Sequence, residues 1–271
     1  QVAALQPLAG RVRALEGVGT EEGGRRQRQR VGPAPHDAPP TNAAVAGMGL
    51  TEAVAALRAH VAVARVAEKA CERLQALCVL EDMRQAAAEA GAIEVVVEAL
   101  QAHPQKSIVQ GQGIAALSVM CIGPGAAARA RAQRAAGAGF IVVVAAAMRA
   151  HAQQEGVQLL GCMALAEVCI GDDAAGRARK QRAAGAGALE AVVEAMRAHP
   201  QVRNMQEHGC KALLGVCGGG ASAAARARRQ RAAQAGGRVA AAHAMQAHPD
   251  DTEVQESGSL VLGTLPAPLI R

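Results

Sequence analysis

The side chains with chemical potential in this chain are histidine, cysteine and arginine, and each recurs at a fixed interval. His60, His103, His151, His199 and His248 stand 43, 48, 48 and 49 residues apart. Imidazoles can ligate metals or move protons. Cys78, Cys121, Cys169 and Cys217 lie eighteen residues after a histidine, and Cys71, Cys162 and Cys210 lie eleven after one. Two cysteines of one segment are thus seven residues apart, whereas metal-binding cysteines usually stand two to four apart. The pattern points to small buried hydrophobes. Seven reduced thiols fit a cytoplasmic setting, with a nuclear one as the alternative.

The histidines are expected one repeat apart, about 10 Å if repeats pack like neighbouring helices. Ligands of one zinc ion must all lie within about 2.3 Å of it. A histidine in the last turn of a helix can instead bond its free carbonyls and complement the dipole, so capping is the expected role. His208 and His243 fall outside this column. No GxxxxGK[ST], GxSxG or HExxH segment occurs. Ser107, Ser118, Ser222, Ser257 and Ser259 have no base nearby in sequence. Neither catalysis nor a cofactor or metal is expected.

Arginine is the least evenly spread type. Arg129, Arg131 and Arg134; Arg177, Arg179, Lys180 and Arg182; and Arg226, Arg228, Arg229 and Arg231 form three short clusters. The net charge is +6, but without these eleven residues 18 basic residues face 23 acidic ones. Local charge of this kind is either a solvated face or a recruiting surface. Equivalent positions would merge into one basic stripe, suited to an acidic protein or peptide. Nucleic acid is disfavoured, because no aromatic residues are interleaved to stack on bases: the chain has no Trp or Tyr and the sole Phe is Phe140.

These residues are set on a repeating framework, which decides the fold. The segments ending at His60, His103, His151 and His199 carry apolar residues or Ala ten, seven, six and three places before the histidine, as in Leu189, Val192, Val193 and Met196. Those offsets make one helical face. Pro104, Pro200 and Pro249 follow the histidine and stop the helix. A second helix follows, with apolar positions such as Met205, Leu213, Val216 and Cys217, and with Ala70, Gly113, Gly161, Gly209 and Gly258 ten residues after the histidines. Glycine inside a helix is costly, so it predicts a close helix approach. A Gly-rich turn leads to a third, shorter helix carrying the Arg cluster. Its first counterpart, MRQAAAEAGA (83–92), lacks the cluster and has a shorter loop, which accounts for the 43-residue interval.

Three helices in 43 to 49 residues, with AGAIEVVVEALQAHP (90–104) and MQEHGCKALLGVC (205–217), resemble the armadillo repeat. The resemblance covers about residues 49 to 266 and is nearest to variant units of algal and protist proteins and of the leucine-rich-repeat kinase N-terminal array. It implies an all-α fold: a right-handed superhelix of three-helix repeats, an α-solenoid. The units expected are 49–80, 81–123, 124–171, 172–219 and 220–266, with 267–271 as a tail. Residues 20 to 43 read as a disordered linker, residues 2 to 18 as a short helix, and 1–48 together as an N-terminal segment outside the repeats. The fifth unit is degraded: Arg238 and Pro266 replace apolar or Cys positions, as terminal repeats often show. The chain opens on Gln1, so a fragment or processed product is expected.

The resemblance also implies a function, a scaffold that binds a protein partner on an extended surface lined by the Gly-bearing helices. Gln112, Ala115, Val119, Gln158, Met163, Glu167, His208, Lys211 and Gly215 are the residues it assigns there. The alternative is a structural or regulatory fragment of a larger kinase-, GTPase- or ligase-like protein. Armadillo arrays that bind import signals carry Trp and Asn four places apart on these helices. Here Glu72 and Ala76, Ala115 and Val119, Met163 and Glu167, Lys211 and Gly215, and Leu260 and Thr264 occupy those positions, which argues against that mechanism. No run of 18 apolar residues suggests a membrane span, and Gln1 to Arg13 lacks a secretory-signal pattern.

Overall fold

The structure, a computed structural model, describes residues 38–267. Among them are fifteen helices and no strand. A six-residue helix, α1 (Asn42–Gly47), comes first. Helices that end at the recurring histidines are α2 (Leu50–Ala59), α5 (Ala92–Ala102), α8 (Phe140–Ala150), α11 (Ala188–Ala198) and α14 (Gly237–Ala247). Each is followed by a Gly- or Ala-bearing helix: α3 (Ala64–Leu77), α6 (Ser107–Cys121), α9 (Glu155–Val168), α12 (Arg203–Cys217) and α15 (Thr252–Thr264). Between them run α4 (Glu81–Glu89), α7 (Gly125–Ala138), α10 (Ala174–Gly185) and α13 (Ala223–Gln234). Each is shorter than the Gly- or Ala-bearing helix before it and is called a short helix on that account. However, α7, α10 and α13, at 14, 12 and 12 residues, are longer than the histidine-ending helices, which corrects the expectation of a third helix shorter than both others. Helices of one kind lie beside one another in chain order, α3 against α6, α6 against α9, α9 against α12 and α12 against α15.

The helix boundaries follow from local chemistry. Gly91, Gly139, Gly187 and Gly236, at φ 81, 104, 81 and 93, sit between each short helix and the next helix. That left-handed conformation ends one helix and starts the next within one or two residues, and it favours glycine strongly. Asp173, Ser222 and Asp251 cap the starts of α10, α13 and α15 by accepting from the backbone N–H of Gly176, Ala225 and Val254.

The core is built from Ala, Val, Leu, Ile, Met and Cys, with Phe140 buried among them. Small residues let the helices come close, and the glycine ten places after each histidine marks the tightest point. A Cβ at Gly113 would stand 2.5 Å from Leu100, and one at Gly161 would stand 2.6 Å from the Cγ of Met148. At Gly209 and Gly258 the same atom would meet Met196 and Met245 at 2.5 and 2.6 Å. The expected close approach is therefore present, and its partner is the last apolar residue of the preceding helix.

Helix α1 lies partly in the segment read from the sequence as linker. Thr41 caps it by accepting from Ala44, Val45 is fully buried, and Arg65 donates to the carbonyls of Pro39 and Pro40. One buried residue in six gives no apolar period, so sequence alone does not reveal it. Residues 20–37 of that linker, the helix expected over 2–18 and the last four residues lie outside the described residues. Among the described residues no helix is long and apolar enough to cross a membrane.

The glycine positions generate a paired test. Ala at Gly185, a helical site with nothing within 4 Å, should stabilise the protein by about 0.5–1 kcal/mol through helix propensity. Ala at Gly161 gains the same propensity but must displace Met148, at about 1–3 kcal/mol for overpacking. Urea titration followed by circular dichroism should show G185A above wild type and G161A below it. Equal gains in both would mean that the two helices do not meet tightly there.

Candidate interaction surface

The arginine clusters divide into two populations. Arg131, Arg179 and Arg228 are 2–3% exposed. Each sits near the middle of a short helix and turns its guanidinium onto the C-terminal end of the preceding Gly-bearing helix. Arg131 donates from Nε to Met120 O at 2.6 Å, Arg179 to Val168 O at 2.7 Å and Arg228 to Val216 O at 2.8 Å. Their Nη2 atoms reach Ile122, Ile170 and Gly218 carbonyls. Nη1 then turns back to a glutamine of the earlier short helix: Arg131 to Gln85, Arg179 to Gln133 and Arg228 to Gln181. Arg84 of α4 makes the equivalent bond, from Nε to Cys78 O at 3.0 Å.

This corrects the expectation of one continuous exposed stripe. Arg131, Arg179 and Arg228 are structural, because a helix end leaves four carbonyls without intrahelical donors and these guanidiniums supply them. Lys180 is also buried, 4% exposed, and its Nζ meets Asp172 Oδ1 at 2.5 Å. That bond is the main reason the Asp172 carboxyl is held below the usual range. Arg229 is half-buried and donates to the carbonyls of Cys217 and Gly220. Arg129, Arg134, Arg177, Arg182, Arg226 and Arg231 remain exposed. Arg134 and Arg231 pair with Glu94 and Glu190; Arg177, Arg182 and Arg226 donate to the carbonyls of Asp172, Ala136 and Ala221.

The histidines also reach across copies of the sequence pattern. The backbone N–H of His103, His151, His199 and His248 closes its own helix. The ring Nε2, however, bonds a carbonyl just after the preceding histidine: Val61, Pro104, Ala152 and Pro200, at 2.7, 2.8, 3.3 and 3.1 Å. The expected capping by the ring of its own helix is corrected accordingly. That cap comes from a glutamine seven residues later. Gln110 donates to Leu100 and His103 carbonyls, Gln158 to Met148 and His151, Gln206 to Met196 and His199, and Gln255 to Met245 and His248. Sequence reasoning missed this column, although one residue type at one offset in four copies was its signal.

Of the nine residues assigned to a partner surface, five are buried. Gln112, Ala115, Val119, Gln158 and Met163 are at most 7% exposed, because α6 and α9 are flanked on both sides by helices of the same kind. Gly215 faces the Ala166 carbonyl of α9, where a Cβ would stand at 3.3 Å. Glu167 and His208 are half-buried and Lys211 is exposed. Burial raises the Glu167 pKa, with Lys211 opposing. Burial lowers that of His208, with the neighbouring Glu207 opposing and Lys211 and Arg203 adding to the fall. Glu207 accepts from Lys211 at 2.5 Å and from Arg203 at 2.8 Å, and Arg203 also binds Asp251 and Glu253. The accessible part of this face is thus a charged patch on α12 and its neighbours.

All seven cysteines are buried and free, as their spacing predicts. Burial pushes the thiols of Cys71, Cys121, Cys162, Cys169, Cys210 and Cys217 up to about 12 and that of Cys78 to about 11. Among the described residues no three His, Cys, Asp or Glu side chains are grouped to hold a metal ion. Comparison with protein-family models, curated proteins and solved structures returned no match.

Two outcomes are expected. Arg179→Ala should cost about 2–4 kcal/mol, since it strips donors from buried carbonyls and leaves a void, whereas exposed Arg177→Ala should stay within about 0.5 kcal/mol; denaturant midpoints separate them. The thiols give a pH test. Their folded pKa values lie above the unfolded value near 9, so the stability they lend is whole below pH 9. It falls as pH rises towards 12, by about 1.4 kcal/mol per pH unit for each thiol. Thermal melts should therefore drop steeply above pH 9, and replacing several of these cysteines by Ala should flatten that slope.

Proposed function

We propose that residues 49–266 form an armadillo-like α-solenoid of about five units that serves as a protein-interaction scaffold. The observation that carries this reading is the repetition of one set of unit-to-unit hydrogen bonds. Arginine reaches back to glutamine across 46, 46 and 47 residues, and histidine reaches back to a carbonyl across 42, 47, 47 and 48. Bonds of constant span propagate in one direction and build an extended stack rather than a closed core. Such stacks bury a continuous interior and offer long surfaces.

The chemistry of the conspicuous side chains supports a non-catalytic role. Each recurring histidine after His60 commits Nε2 to a backbone carbonyl. Each cysteine is buried with a thiol that stays protonated at neutral pH. What is left for a partner is the outer row of exposed arginines and the charged patch around Lys211 and His208.

Truncation tests the architecture. Deleting residues 222–271 removes α13 to α15 and should lower the melting temperature while the remaining helices persist, because stability in a stack is roughly a sum over units and interfaces. Loss of all helicity in one step would favour a single indivisible core. Binding is tested by capture on the immobilised chain from its native lysate. Retained proteins should be lost with Arg129, Arg177 and Arg226 changed to Ala, or with His208 and Lys211 changed to Ala, at unchanged melting temperature. Equal retention by the heat-unfolded chain would refute the scaffold reading.

A further inference from the structure

Glu94 and Glu190 occupy the same place in two copies of the sequence pattern, nine residues before His103 and His199. Each stands between two arginines from neighbouring copies. Arg134 binds Glu94 with Nε at 2.5 Å and Nη2 at 2.9 Å, and Arg58, which donates to Ala90 O, borders the same corner at Gly91. Arg231 binds Glu190 at 2.6 Å, and Arg149, which donates to Ala186 O, borders it at Gly187. The carboxylate thus closes this outer edge in two of the five copies, and the first copy has Thr51 at that place.

In the copy between them the same place is Val142, 49% exposed. One of its two flanking arginines is kept. Arg182 is the counterpart of Arg134 and donates to Ala136 O as Arg134 donates to Ala88 O. Gln101 takes the place of Arg58, with its amide near Gly139. The last copy repeats the substitution: Val239 is 53% exposed, and Arg197, the counterpart of Arg58 and Arg149, donates to Ala235 O with no carboxylate beside it among the described residues. Among the described residues, two of the five most exposed large hydrophobic side chains therefore lie where the other copies carry Glu94 and Glu190. Each corner keeps one guanidinium leaning on a carbonyl, Arg182 in the first and Arg197 in the second, and neither forms an ion pair among the described residues.

We propose that the Arg182–Val142 corner is a docking point for a carboxylate side chain of an acidic protein segment, with Val142 giving an apolar contact to its methylene stem. This rests on the scaffold reading and names the partner's chemistry. Exposed Arg177 and Arg226 stand on the same and the next short helix, so the segment would run along α10 and α13. Asp172, beside Arg177, has its carboxylate engaged by Lys180 and its carbonyl by Arg177. A carboxylate there completes an Arg–carboxylate pair of the kind the chain itself makes on either side, and such pairs are charge-assisted.

The test uses the whole chain and a fluorescein-labelled polyglutamate peptide of about twelve residues, extended at about 3.3 Å each. That length reaches across α10 and α13, at roughly 10 Å spacing, with residues to spare. Anisotropy is read at physiological ionic strength. Val142→Glu should fill the corner from within, as Glu94 and Glu190 do, leaving the melting temperature equal or higher and weakening the peptide about tenfold. Arg182→Gln should weaken it similarly, and the neutral Val142→Gln should leave it unchanged. Gln153→Glu adds the same charge in the turn after α8, past a helical stretch from Val142 to Ala150 that alone spans about 12 Å, beyond the screening length of about 8 Å, and should also leave binding unchanged. No binding by wild type, equal binding by V142E, or equal weakening by Q153E would overturn the proposal. A chain that captures a native protein indifferent to V142E would remove this docking point and keep the scaffold reading.

Discussion

A helix that ends inside a protein leaves carbonyl oxygens that must find donors, and the Gly- or Ala-bearing helices α3, α6, α9 and α12 end inside. Water is excluded from those ends by the next short helix, so the donor must come from that helix. Arginine meets the need because its planar fork spreads several N–H groups over neighbouring oxygens. Arg84, Arg131, Arg179 and Arg228 each do this. Burying a guanidinium is expensive unless its hydrogen bonds are met. Carbonyls at a helix C-terminus carry partial negative charge, which makes them suitable acceptors. The placement of each short helix follows from that single contact, and with it the place of everything the short helix carries.

The second constraint is size. A core without Trp or Tyr and with one Phe gains area only through many small side chains brought close together. Glycine at the crossing of α9 with α8, and at its equivalents, allows that closeness, and the facing Met or Leu fills the space a Cβ would take. Cysteine serves the same interior as a small apolar side chain, and the deep burial that suits it to packing also silences its thiol. The closeness closes the surface as well: α6 and α9 are so fully flanked that residues which would face a groove in a looser packing of helices lie inside.

The helical framework was legible because apolar spacing, the histidine register and the glycine punctuation are all local in sequence. The buried position of the cysteines and the close approach at Gly113, Gly161 and Gly209 followed from the same signals. Charge was the poor guide. Offsets 0, 2 and 5 on a helix put Arg177 and Arg182 in solvent and Arg179 in the core, but which of three like residues turns inward depends on where the preceding helix ends. Gln158 was read as a surface group for the same reason: its target, the carbonyls of Met148 and His151, exists only once the chain has turned back. Arg84 passed as an isolated residue in a segment without a cluster, although one arginine suffices for the role.

Most of the bonds that join one copy to the next share a further property: the acceptor is main chain. Histidine binds a carbonyl after the previous histidine, and the buried arginine binds carbonyls of the previous helix. A peptide carbonyl is the same whatever residue bears it. Joints of this kind read the path of the backbone and largely ignore the side-chain identity of the neighbour. Duplicating, deleting or exchanging a whole copy would therefore preserve most of the junction chemistry, while each copy's outer face stays free to diverge. The architecture is suited to growth by tandem duplication, with length and surface open to change independently.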